Sequence, residues 1–496
     1  MPTMLANTVR STLEPSDNPY LGGAWRPTFN EWNGVFANGD AAVIGTIPDD
    51  IEGVYIRSGE NQIHQPIGRY HPFDGDGFLH AVSFKNGRAA YRSRFVRTAG
   101  FEAEAEAGQA LWAGLMEPPS RSTRKGWGAQ GSLKDSSSTD VTVHAGAVIS
   151  TFYQCGEGYR LDPFTLEPLG RADWVPPAGI SAHCKTDEAT GELLFFNYAK
   201  TAPYMQYGVV GPDDVLRHRV DIPLPGPRLP HDMAFTPSWS ILNDLPLYWS
   251  PELLARDIHA VQFHPDQKSR FALIPRYGSP DEIHWFEAAP TYVLHWLNAF
   301  EEGDEVVLDG FFQEEPMPRS RVDAPEGYER MMAYLDQELL KPRLHRWRFN
   351  LATGETREER LDERNLEFGT INMRFAGRPC RYAYTAIPEP GWFLFRGLCK
   401  HDFASGTSED YLFGEQRFGS EAAFAPRHGA VDEDDGYLIT LVSDVAADTS
   451  ECVILDARDI TAGPVCRIVL PERICAGTHA TWANHDAIGL GPNPLL

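Results

Sequence analysis

The chain has 496 residues, and 44 Lys and Arg stand against 69 Asp and Glu, a formal charge of −25. Such an acidic surface repels phosphate backbones and anionic lipid headgroups, so nucleic acid is not an expected partner. Seven cysteines (Cys155, Cys184, Cys380, Cys399, Cys452, Cys466 and Cys475) form no C-x-x-C pair, and their odd number argues against a disulfide framework. They read as buried free thiols.

In chain order, Met1–Arg10 has no basic segment followed by an apolar run, and no later stretch approaches the roughly 18 to 20 apolar residues of a spanning helix. A cytoplasmic protein with no stable membrane insertion is expected. Closed all-β folds of this length form one domain, so a single domain over 1–496 is expected. Phe73-Asp74-Gly75-Asp76-Gly77-Phe78 has the look of a calcium loop but lacks the acidic positions and terminal Glu of an EF-hand, and tight-turn chemistry explains it better.

Hairpins recur along the chain. Val82–Tyr91 predicts two strands around an Asn86-Gly87 turn, and Tyr159–Glu167, Trp347–Glu355 and Val453–Ile460 repeat the idea around Asp or Asn. Helical periodicity is scarce. Glu326–Lys341, with Tyr328, Met331, Met332, Leu335 and Leu339 at three- and four-residue spacing, is the clearest helix. Radially repeated hairpins suit a β-propeller, whose inner strands converge on a central channel; a sandwich is the alternative.

Four histidines lie in contexts of small or apolar residues: His183, His231, His295 and His479, separated by 48, 64 and 184 residues. No single helix or hairpin brings them together, whereas a closed circular fold does. Four neutral imidazoles would make a metal site without ligand charge. The spacings diagnostic of zinc, the phosphate loop, the dinucleotide fingerprint and the G-x-S-x-G elbow are all missing from the sequence.

These histidine segments, with Asn18–Pro27, His71–Gly77, Arg374–Tyr384 and Glu433–Ile439, together resemble the carotenoid cleavage oxygenases over nearly the whole chain. The resemblance implies a seven-bladed β-propeller with a cap of loops and short helices. It also implies one Fe(II) per chain on His183, His231, His295 and His479. Outer-shell carboxylates in such sites accept the second ring N–H of a ligand histidine. Glu367 and Glu421 match two of those positions, and Gln154, at the third, accepts the same bond without the charge.

Within the family, Glu60–Phe73 and Gly131–Thr139 are closest to the bacterial lignostilbene and stilbene dioxygenases, which split a hydroxylated stilbene with O2 into two aldehydes. The resemblance makes Lys134 the binder of the substrate's 4-hydroxyl group and puts Phe101 where a Tyr is usual. Thr139 would stand near the open iron position. A lysine ammonium in a water-poor pocket favours the phenolate, whose lone pair enriches the alkene. Carotenoid or apocarotenoid cleavage is the rival activity, although Leu242–Leu254, the candidate docking stretch, is interrupted by acids and prolines. A metal-free binding scaffold is the rival from another class, and an isomerase or hydrolase on the same iron is a third option. A homodimer follows from the resemblance alone.

Overall fold

The structure, a computed structural model, describes residues 3–16, 18–126, 133–322, 328–484 and 493–496, and of 330 and 331 the backbone alone. The chain divides into two compact units, residues 1–182 with 396–496, and residues 183–395. Both are built from antiparallel strands, most of them paired with a neighbour in sequence.

In the first unit, one sheet runs in the order Met4–Thr8, Asn30–Ala37, Arg88–Phe95, Asp76–Lys85, Gly53–Asn61, Gly477–Asn484. A strand from the end of the chain therefore pairs with one near its start, Trp482 opposite Tyr55. Asp140–His144, Ala147–Thr151, Tyr159–Leu161 and Pro168–Arg171 form a four-stranded meander. The core around Tyr55, Phe84, Tyr91, Ile439, Ile454 and Trp482 is built from alternate residues of strands covered on both faces.

The second unit holds three further four-stranded meanders. They are Lys185–Asp187 to Leu216–Asp221, Ala234–Phe235 to His284–Ala288, and Trp296–Glu302 to Thr356–Asn365. Trp347, fully buried, joins the last two, packing against Phe271, Trp296 and Phe349.

The hairpin at Val82–Tyr91 is formed by Asp76–Lys85 and Arg88–Phe95, and Asn86 (φ 51°) and Gly87 (φ 66°) both take the left-handed conformation of a two-residue turn. Asp162 and Asn350 accept backbone N–H groups two and three residues on, at 2.8 to 3.0 Å, so Tyr159–Glu167 and Trp347–Glu355 share one turn. Asp187 and Asp402 carry related Asx turns at Thr186–Gly191 and Asp402–Gly406. The Val453–Ile460 pattern differs: the strand ends at Asp456, and Asp459 caps a short 3-10 turn, Ile460–Ala462, because its carboxylate accepts two N–H groups there.

The expected helix over Glu326–Lys341 divides into Glu329–Leu335 and Gln337–Leu340. Asp336 breaks it, since its carboxylate accepts from Glu338 N, Arg321 and Gly391 N and holds its own backbone extended. Glu326 and the Met331 side chain lie outside the described residues. A further helix spans Ala99–Ala107, capped by Thr98 and ended by Gly108 in the left-handed region. Of Phe73–Phe78, Phe73 and Asp74 end a 3-10 turn, Pro72–Asp74, in which Asp74 accepts His71 N and Leu115 N, and Asp76 opens the strand Asp76–Lys85. None of the seven cysteines is in a disulfide, and all but Cys380 are buried. Among the described residues no helix is long and apolar enough to cross a membrane.

Trp347→Ala should lower stability by about 3–5 kcal/mol, because a large side chain leaves a close-packed core that relaxes only partly. The urea midpoint checks this; a change below about 1 kcal/mol would mean the core repacks around the gap.

Candidate metal centre

Three of the four histidines open successive meanders of the second unit. His183 stands two residues before Lys185–Asp187, His231 three before Ala234–Phe235, and His295 directly before Trp296–Glu302. Equivalent positions of the repeat thus converge. The ring centroids are 4.8, 5.2 and 5.2 Å apart, and one nitrogen from each lies within 4.8 Å of the others.

Asp232 ties the three segments together. Its carboxylate accepts from Trp296 N at 2.9 Å and Met233 N at 2.7 Å, and pairs with Lys185 Nζ at 2.8 Å. It is next to His231 in sequence, its acceptor contact is next to His295, and its ion pair reaches two residues past His183. Burial pushes its pKa up against the pull of Lys185. No feature of the sequence reading pointed to Asp232 or Lys185. The Asp following a candidate ligand was the available signal.

Glu367 opens the strand Glu367–Thr370 and is fully buried. Its Oε2 accepts from His295 Nδ1 at 2.6 Å and from Phe368 N at 2.9 Å. The hydrogen on Nδ1 leaves Nε2 as the ligand nitrogen of His295. Three imidazoles, one of them oriented by a carboxylate, are a donor set that fits a divalent transition metal such as Fe(II).

The fourth histidine, His479, belongs to the first unit. It lies in Gly477–Asn484 where the pairing with Gly53–Asn61 slips between Gly477 and Ala480, a local irregularity that re-aims side chains. Its Nδ1 donates to Glu421 Oε2 at 3.2 Å, and Ala480 N donates to the same oxygen at 2.7 Å. Glu421 therefore stands to His479 as Glu367 does to His295. Thr139 directly precedes Asp140–His144, the position histidines occupy in the other meanders; its carbonyl accepts from the Thr478 hydroxyl at 3.1 Å and its hydroxyl from Tyr153 N at 3.2 Å. Gln154 is buried in the turn closed by Cys155 N to Phe152 O.

Also in the first unit, Lys134, its side chain 11% exposed, lies between two carboxylates, its Nζ donating to Asp76 at 2.9 Å and Glu104 at 2.8 Å. Burial alone would lower its pKa, but the two anions more than offset that and raise it above the ordinary lysine value. Burial also pushes Asp76 up, to about 6, against the lysine's pull. Phe101 and Glu104 stand one turn apart on the helix Ala99–Ala107. The Phe101 ring packs with Ile63, Phe78 and Phe95, and the Arg97 guanidinium lies 4.6 Å above it. A cavity of about 320 Å³ is lined by Ile63, His64, Asp76, Phe101 and Glu104; a smaller one, about 40 Å³, by Leu133, Lys134, Glu104 and Phe152. Of the Gly131–Thr139 stretch, Gly131 and Ser132 lie outside the described residues.

A family model described as retinal pigment epithelial membrane protein matches residues 27–484. The chain belongs to the carotenoid cleavage oxygenase family. It is 31% identical to a carotenoid 9,10(9',10')-cleavage dioxygenase of Pisum sativum, over 95% of this chain and 90% of that one. It is 32% identical to an isoeugenol monooxygenase of Pseudomonas putida, over 96% and 100%. The crystal structure of a Pseudomonas brassicacearum lignostilbene dioxygenase superposes with a TM-score of 0.82 at 26% identity, covering 95% of this chain and all of that one. The fold is the all-β propeller type of this oxygenase family.

Asp232→Ala should cost stability toward the lower end of about 3–5 kcal/mol, since Lys185, a quarter exposed, is left without its anion. Metal content should fall with it. Unchanged urea unfolding and metal analysis would remove Asp232 from this role. Glu367→Ala should weaken metal binding by about 10 to 100 fold at unchanged fold, measured by chelator competition.

Proposed function

We propose that this oxygenase is an Fe(II)-dependent dioxygenase that cleaves the central C=C of hydroxylated stilbenes with O2 into two aromatic aldehydes. In this reading one domain over 1–496 holds the iron on His183, His231, His295 and His479, with Glu367, Glu421 and Gln154 as their outer partners. When bound, the metal supplies oxygen activation without ligand charge.

The observation that carries the substrate assignment is the largely buried Lys134, flanked by Asp76 and Glu104, with the cavity lined by Phe101, Asp76 and Glu104 on one side and the smaller one that Lys134 itself lines on the other. A hydrocarbon has no use for such an ion triad, and a phenol does. Held protonated by its neighbours, Lys134 cannot act as a base. It has a third N–H to offer a phenol oxygen. A free phenol titrates near about 10, so most of it is neutral at pH 7. Asp76, pushed up to about 6, is the acceptor for that proton. The exchange leaves the total charge unchanged: the phenolate replaces one carboxylate as the counter-ion of Lys134, and the carboxylate becomes an acid. Phe101 contributes ring packing and no hydrogen bond. Thr139, beside Thr478 and His479, restricts access where O2 must arrive.

Carotenoid cleavage is the second reading, supported by the Pisum sativum relative at 31% identity. Against it, Leu242, Leu245, Leu247 and Trp249 of the candidate docking stretch are buried, which leaves few apolar side chains to meet a bilayer.

Lys134→Met should lower turnover of a 4-hydroxystilbene by about 100-fold or more at unchanged iron content, with the 4-methoxy analogue already poor for the parent enzyme. Phe101→Tyr should be tolerated. Equal turnover by the methionine variant, or faster cleavage of a carotenoid than of the stilbene, would overturn the assignment.

A further inference from the structure

Lys85, Lys134, Lys185, Lys341 and Lys400 each face a carboxylate, which holds an amine protonated. Lys200 is placed differently. It follows the strand Glu192–Tyr198 and is half-buried, and its Nζ lies 2.7 Å from Nδ1 of His259. Nε2 of His259 is 3.1 Å from Asp257 Oδ1. A carboxylate accepts and never donates, so Asp257 fixes the imidazole hydrogen on Nε2 and turns the Nδ1 lone pair toward Lys200. The indole of Trp249, itself stacked on Tyr198, lies 4.8 Å from Nζ. Asp257 and His259 reach the surface, 48% and 27% exposed, so the amine can be approached from solvent.

We propose that Lys200 is a nucleophilic amine that captures aldehydes as a reversible imine, with His259 as its proton acceptor and Asp257 as the positioning residue. The ligand class, an aryl or conjugated aldehyde, rests on the proposed cleavage, which makes such products. The step balances without an oxidant or reductant. The Nζ lone pair forms the C–N bond while the carbonyl π pair moves to oxygen. The surplus proton passes from nitrogen through His259 Nδ1 to that oxygen, and loss of water leaves the C=N bond.

Two further features agree with this role. Burial, only partly opposed by Asp257, pulls the Lys200 pKa down to about 8, and burial with the lysine's charge pulls that of His259 down as well. At pH 7 such a lysine has roughly two orders of magnitude more neutral amine than an ordinary one. The Trp249 face is an apolar wall against which an aryl group can lie.

The test uses the purified full chain, 4-hydroxybenzaldehyde at limiting concentration and cyanoborohydride, which reduces the imine to a stable adduct for peptide mapping. We expect one dominant adduct, with Lys200 labelled about tenfold faster than any other lysine. Lys200→Arg should abolish it while retaining the cation and the fold, and His259→Leu should slow it about tenfold. Label spread over the lysines by exposure, or an unchanged rate in His259→Leu, would overturn the proposal. Because the aldehyde is supplied, the result is independent of turnover. Labelling without stilbene cleavage would sink the functional reading alone, and cleavage without labelling would sink this inference alone.

Discussion

Three imidazole nitrogens held within 4.8 Å of one another have no attraction of their own when each presents a lone pair. Something else must hold them there, and the buried carboxylate of Asp232 does so. Through Met233 N, Trp296 N and Lys185 it fastens the starts of three meanders, each carrying one histidine. Taking an ion out of water costs several kcal/mol, and only a well-matched cation and further hydrogen bonds offset it. Asp232 has one cation and two backbone N–H groups. The histidine cluster is therefore organised by contacts of the fold itself.

Orientation is a separate problem from position. An imidazole offers its lone pair on one nitrogen, and the hydrogen bond on the other decides which. Glu367 makes that choice for His295 at 2.6 Å, and Glu421 for His479 at 3.2 Å. Each of these glutamates also accepts a backbone N–H from its own site, Phe368 and Ala480. Neutral ligands with anions one bond further out leave the charge of a bound metal largely intact while fixing its geometry.

The convergence of His183, His231 and His295 was legible because small and apolar neighbours made each context distinct, and the hairpins because Asn-Gly and Asx turns have fixed chemistry. What stayed hidden depended on tertiary contact. Asp232 reads as an ordinary acidic residue until Lys185 and Trp296 are brought to it. The Ala99–Ala107 helix offers only Phe101 as a large apolar residue, so periodicity has little to show, although Thr98 and Gly108 are its caps. The helix expected over Glu326–Lys341 had the right period, but Asp336 found partners in Arg321 and Gly391 that periodicity cannot see. Asp187 and Asp402 carried related turn signatures and were there to be read.

Overall identity does not separate phenolic from carotenoid substrates, because relatives named for either stand at 31% and 32%. Electrostatics is the better discriminator. Burying Lys134 with Asp76 and Glu104 is worthwhile only if the triad does something an apolar pocket cannot. With both acids ionised the triad carries one surplus negative charge, which would repel a phenolate added to it. Moving the phenol's proton onto Asp76 removes that repulsion, because the count of anions around the ammonium stays at two. On the proposed phenolic reading the same accounting makes a methyl ether a poor substrate, since it has no proton to give and cannot take a carboxylate's place. On the proposed reading Phe101 needs no hydroxyl, as the cluster already contains its own acceptor.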